Sequence, residues 1–175
     1  MSFNLEKFRT DYGKWVEKHL ADFEAGKTDN AVKEYPLVVS EDIPWTPFTG
    51  KASKKTFALV SSGGLYVKEN QPAFETASIH GDASFREIPR DVPYPDLGIA
   101  HGHYDQRLAE QDLNTIFPLE HFIELEKEGI IGRLADTHYS FSYVNNVAAL
   151  ITETVPKVLD RIRAQGVDAL FLVPV

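Results

Sequence analysis

Two short runs narrow the fold more than anything else in the chain. Thr56-Phe57-Ala58-Leu59-Val60-Ser61 is almost wholly apolar, and Val167-Asp168-Ala169-Leu170-Phe171-Leu172-Val173 is nearly so. Neither alternates apolar with polar residues. A strand with one wet face alternates, whereas a run like these needs cover on both faces. Each run is also tied to glycine: the first leads into Ser62-Gly63-Gly64, and the second follows a helical stretch stopped by Gly166. The pattern predicts an α/β fold in three layers, a mostly parallel sheet with helices on both faces.

The remaining segments fit around that sheet. From Phe3 to Phe23, apolar residues at Leu5, Phe8, Tyr12, Trp15, Val16 and Leu20 recur at helical spacing. Its aromatic stripe suits packing within the domain or a dimerisation arm. Pro36, Pro44 and Pro47 rule out a long helix next, so Ile43-Pro44-Trp45-Thr46-Pro47-Phe48 reads as a strap over the core. Residues 112–117 read as extended, a helix follows Pro118 and ends at Gly129, and a long helix runs to Ala164 with Pro156 kinking or dividing it. The organisation expected is one domain over residues 1–175: an amphipathic helix (1–30), a proline-rich strap (31–55) and an α/β core (56–175).

Composition removes whole classes of function. The net charge of −8 argues against nucleic acid or anionic membrane as partner, since both demand a basic face. No apolar run approaches a membrane span, and no basic-then-apolar leader opens the chain, so a cytoplasmic location is expected. There is no cysteine. Thiolate metal sites and thiol nucleophiles are therefore excluded from these residues. G-x-G-x-x-G is missing, and no flavin or nicotinamide motif is visible.

Chemistry concentrates in Ile99-Ala100-His101-Gly102-His103-Tyr104-Asp105. His101, His103 and Asp105 stand at i, i+2 and i+4, one face of an extended segment. They suit a divalent metal such as zinc, iron or manganese, or a metal-free acid–base cluster with Tyr104. His138 and His80 are further candidates for this site, and His80 and Asp82 for binding the substrate. Ser61, Ser62, Gly63 and Gly64 end a strand in small residues, which suits either an anion cradle or a tight turn. Arg86 can clamp a substrate carboxylate, or simply pair with Asp82 or Glu87.

Several of these residues recur together in one order. They are the strand with Ser61-Ser62-Gly63-Gly64; His80-Gly81-Asp82 with Ser84-Phe85-Arg86; Tyr104-Asp105; Asn114 with Phe117-Pro118; Gly129-Ile130-Ile131-Gly132; His138-Tyr139-Ser140-Phe141; and the closing Gly166-Val167-Asp168-Ala169-Leu170-Phe171-Leu172-Val173-Pro174-Val175. Over residues 40–175 the chain resembles the selenoprotein B family of glycine, sarcosine, betaine and D-proline reductases. The resemblance implies reductive opening of a carbon–nitrogen bond in a small amino acid or methylated amine. It implies a selenocysteine or cysteine nucleophile just after the last strand, and a pyruvoyl-containing partner subunit. These 175 residues hold neither nucleophile.

Two functions follow as expectations. One is a small-molecule enzyme acting on an amino-acid-like or carboxylate substrate through the His/Asp cluster. The other is a substrate-binding or accessory subunit of a reductase complex whose partner brings the redox residue. A cysteine-free reductase with a bound cofactor ranks behind both. A homodimer is expected from the aromatic helix and the apolar last strand.

Overall fold

A computed structural model describes residues 4–39 and 46–175. The chain divides into two compact units, Met1–Thr49 and Gly50–Val175. Of the expected strap, Ile43, Pro44 and Trp45 lie outside the described residues, as does Phe3 of the expected helix.

In the first unit, α1 (Leu5–Glu24) starts where the Asn4 side chain accepts the Lys7 N–H at 2.9 Å. Phe8, Tyr12, Trp15 and His19 form its buried stripe. Their cover inside the unit is α2 (Asp29–Lys33) and Tyr35. The Trp15 indole donates to the Ala31 carbonyl at 2.8 Å, and its ring meets Tyr35 edge-on. Burying a tryptophan with its N–H satisfied gives this small unit its anchor.

The second unit carries the sheet. Strand β1 (Thr56–Ser61) pairs in parallel with β7 (Ala169–Val173), from Phe57↔Ala169 to Ser61↔Val173. So the two apolar runs are neighbours. On its other edge β1 pairs first with β5 (Arg133–Leu134), then with β6 (Thr137–Ser140), both parallel. Strand β3 (Arg86–Pro89) closes that side antiparallel to β6. A separate two-stranded ribbon joins β2 (Leu65–Val67) to β4 (Leu97–Ile99).

Cover lies on both faces of β1, as its lack of alternation requires. Leu59 joins one apolar cluster with Ile88, Phe117, Leu134 and Phe122 of α4 (Leu119–Lys127). Its neighbour Val60 packs into another with Tyr139 and with Val158 and Ile162 of α6 (Val155–Ala164). Between β4 and α4 lies the short helix α3 (Arg107–Gln111).

The expected long helix is divided where Pro156 requires. It begins as α5 (Val147–Ala149), widens into a π-helical turn at Leu150–Thr154, and tightens again as α6. Proline has no N–H to donate, and its ring crowds the carbonyl four residues back; a π-turn relieves both. Two local expectations fail. Residues 112–117 are not extended: the Asp112 carboxylate accepts the Asn114 N–H and starts a 3-10 turn, Leu113–Thr115. And His138, a candidate site residue, lies instead within strand β6, where it, Tyr139 and Ser140 are all fully buried.

Candidate functional site

The turn after β1 spends its donors internally. Ser62 N–H bonds the Val173 carbonyl, Gly63 N–H the Ser61 hydroxyl, and Gly64 N–H the Phe141 carbonyl. A strand, β2, follows rather than a helix. Of the two readings of Ser61-Ser62-Gly63-Gly64, the bonding pattern is that of a tight turn, which leaves no N–H cradle for an anion.

The His101 segment does reach this turn. Ala100 N–H donates to Gly64 O at 2.8 Å, and the Tyr104 hydroxyl donates to Gly63 O at 3.1 Å. His101, His103 and Tyr104 come together with Tyr143. The His103 and Tyr143 rings lie 3.8 Å apart, and those of His101 and Tyr104 4.9 Å apart. Burial pushes both histidines below their ordinary pKa, so they are neutral at pH 7. His101 Nδ1 accepts the His103 N–H at 3.2 Å, leaving its proton on Nε2.

Asp105 does not join them. The segment bends instead of running extended, so the shared face required by i, i+2, i+4 spacing is not formed. The Asp105 carboxylate is exposed and bound by Arg107 through its Nε at 2.9 Å, which holds it below the usual carboxylate range. Among the described residues, no three His, Cys, Asp or Glu side chains gather as a metal would require. The proposed ligand set therefore does not fit a metal in this conformation.

Arg86 is almost fully engaged. It lies over the Phe74 ring at 4.1 Å, donates to the carbonyls of Pro72, Ala73 and Phe85 and to the Ser84 hydroxyl, and sits 3.7 Å from Asp82. Burial raises the Asp82 carboxyl, and hydrogen bonds from Ser84 and from the Glu75 N–H outweigh it, leaving the group ionised. This is the Asp82 pairing, a clasp on the loop before β3, and not a carboxylate clamp. Arg86→Lys should lower unfolding free energy by about 2 kcal/mol, because an ammonium cannot reproduce the fork. Urea unfolding of the two proteins would check this. His80 stands exposed, and its carbonyl accepts the N–H groups of Asn145 and Asn146.

His138 is a core residue. Its Nδ1 accepts the Leu59 N–H at 3.1 Å, filling the gap in the ladder where β1 changes partner from β5 to β6. Its Nε2 is buried with no hydrogen-bond partner among the described residues, and its ring meets that of Phe117 edge-to-face. Burial lowers its pKa to about 4.

A cleft of about 480 Å³ opens at the carboxyl ends of β1, β6 and β7. In parallel sheets this is the end at which ligands bind. Val60, Phe141, Val144, Leu150, Val155 and Leu172 give it apolar walls, and Ser61, Ser62 and Ser142 its hydroxyls. Ser61 donates to Ile116 O and Ser142 to Ala100 O, while Ser62 Oγ accepts the Val175 N–H. The π-turn forms one side. Tyr143, between Ser142 and Val144, puts the His101 cluster directly behind the wall. Sequence reading reached Ser61 and Ser62 but missed the rest. The one signal available was Pro156, which announces an irregular turn of helix beside the strand ends.

Comparison with known proteins bears out the family resemblance. The family model for glycine/sarcosine/betaine reductase selenoprotein B matches residues 25–174. The chain is 34% identical over 129 residues to D-proline reductase subunit gamma of Acetoanaerobium sticklandii, covering 73% of this chain and 52% of that one. It is 32% identical over 148 residues to glycine reductase complex component B subunit gamma of Carboxydothermus hydrogenoformans, covering 83% and 34%. To sarcosine reductase complex component B subunit beta of Peptoclostridium acidaminophilum it is 33% identical over 104 residues, covering 59% and 24%. The chain thus spans between about a quarter and about half the length of these relatives. No solved structure matches. Over residues 25–174, this chain belongs to the glycine/sarcosine/betaine reductase selenoprotein B family.

Proposed function

We propose that these residues form the substrate-holding part of a reductase B component, with the reducing thiol or selenol supplied from outside them. The observation that carries this is the cleft at the strand ends: it has the size and position of a small-molecule site, and no cysteine exists in the chain to act in it. The relatives' names supply the substrate class, small amino acids and their N-methylated or cyclic forms. Apolar walls favour the methyl groups of betaine and sarcosine, or the ring of D-proline, over glycine, which has no such group to bury. The Ser62 hydroxyl can donate to the substrate carboxylate. Catalysis by the His/Asp cluster draws less support, because Asp105 faces Arg107.

Calorimetric titration tests the reading. D-proline or betaine should bind more tightly than glycine. Val155→Trp, which fills the cleft, should weaken binding at least about tenfold, a loss of about 1.4 kcal/mol. His103→Ala should leave binding unchanged. Equal binding by Val155→Trp, or loss in His103→Ala alone, would overturn it.

A further inference from the structure

His80-Gly81-Asp82 carries two polar side chains, yet its main contribution to the fold is backbone. Residues 79–83 meet one side of the cleft at both of its ends. At the near end, the Asp82 N–H donates to the Tyr143 carbonyl at 2.9 Å, and the His80 carbonyl accepts the N–H groups of Asn145 and Asn146. Gly81 faces Val144 in an isolated antiparallel bridge. The buried Asn145 side chain adds a bond from its Nδ2 to the Ile79 carbonyl, 2.9 Å. At the far end, the buried Thr154 hydroxyl donates to the Ala83 carbonyl at 2.6 Å. Between these ends lies the wall: Val144, then Leu150 in the π-turn, with Val155 directly after Thr154.

This stretch of wall has little support of its own. The π-turn closes through the Val155 N–H on the Leu150 carbonyl, and the next residue, Pro156, has no N–H to add a rung. A helical threonine can return its hydroxyl to the carbonyl four residues back, as Thr152 does to Ala148 at 2.9 Å. Thr154 reaches out of the helix instead. The loop it reaches is firmly bonded. The Asp82 carboxylate accepts the N–H groups of Ser84 and Glu75, and the Arg86 fork grips the carbonyls of Pro72 and Ala73. Gly81 has φ +66°, and a Cβ there would lie 2.3 Å from the Tyr143 carbonyl oxygen, so only glycine allows this approach.

We propose that Asn145 and Thr154 are positioning residues of the cleft, holding Val144, Leu150 and Val155 through loop 79–83 at the spacing a ligand meets. The proposal rests on the reading of the cleft as the ligand site, and the pinning of the wall is measured separately. Thr154→Val keeps the shape of the side chain and removes the hydroxyl; Thr154→Ser keeps the hydroxyl. In unliganded Thr154→Val, the Val155 amide should exchange with deuterium about tenfold faster than in wild type, through loss of a buried hydrogen bond. The Leu59 amide, inside the sheet, should change less. Calorimetry on the same proteins should find D-proline binding weakened about fivefold, because the ligand must now order the wall, and glycine, with nothing to set against it, weakened less than about twofold. Thr154→Ser should restore both readings, and Asn145→Ala, which frees the other end, should reproduce the loss. Val155 and Leu59 amides that accelerate equally, or Thr154→Ser no better than Thr154→Val, would reduce Thr154 to a general stabiliser and overturn the proposal. So would equal losses of affinity for D-proline and glycine. Wild type that binds neither ligand overturns the substrate reading instead, and the Val155 amide still decides whether the wall is pinned.

Discussion

Gly64→Ala should cost the fold about 3–5 kcal/mol, strain and overpacking together. Gly64 has φ +75°, a left-handed conformation that L-residues adopt at a penalty. A Cβ there would lie 2.4 Å from the Ala100 carbonyl oxygen, which is backbone held by its own hydrogen bonds and cannot swing away. The same contact joins the β1 turn to the His101 segment, so the substitution pushes apart the two pieces of chain behind the cleft. Gly129 is the control. Its φ is +70° and nothing lies within 4 Å of its Cβ position, so Gly129→Ala pays the backbone term alone, about 1 kcal/mol. Urea unfolding of the three proteins separates the contributions. Equal losses at both glycines would mean that the Ala100 contact does not matter.

The second large effect is acid instability from His138. Unfolded, its imidazole takes a proton near pH 6.5; folded, it resists until about 4. Between those values the unfolded chain binds the extra proton, so stability is complete above about pH 6.5 and declines as pH falls toward 4. The 6.5-to-4 interval corresponds to about 3 kcal/mol. The carboxylates held low by partners, such as Glu126 beside Arg90, lose their contribution only at lower pH. His138→Asn keeps an acceptor near the Leu59 N–H and removes the titration. Unfolding free energies at pH 7 and pH 4.5 should differ more in wild type than in the variant, whose remaining slope comes from His101 and His103, also held low by burial. Equal slopes in both would show that another group carries the acid dependence.

His138 also shows where the sequence stops being readable. A histidine beside aspartate, tyrosine and serine reads as chemistry, yet here it repairs a sheet in which one strand changes neighbours. That need exists only once β5 and β6 share an edge of β1, a relation between residues about 80 apart. The strands themselves were legible when their apolar runs were unbroken, as in β1 and β7. They were hidden when buried polar groups interrupted them, as in β6. Residues 112–117 carry a strand-like composition, but Asp112 turns its own backbone before any sheet can recruit it. Pro156 was legible as a break because its missing N–H is a local fact.

The site divides the same way. The β1 turn and the His101 segment were each readable as candidates from small residues and polar clusters, but their contact came only from the structure. The orientation of Asp105 was not readable, since Gly102 permits a bend that spacing alone cannot reveal and Arg107, two residues on, captures the carboxylate. The cleft was invisible because its walls come from strand ends near residues 60, 141 and 173, and no periodicity links them.

The central claim is that substrate binds at the strand ends and that these residues do not reduce it unaided. Amide chemical shifts of the purified chain, followed while D-proline and then betaine are titrated in with excess dithiol, test both halves at once. The account expects saturable shifts at Ser61, Ser62, Ser142 and Val155, small changes at His103 and Arg86, and unaltered ligand throughout. Shifts centred on His101 and His103, or opening of the carbon–nitrogen bond by this chain alone, would contradict it.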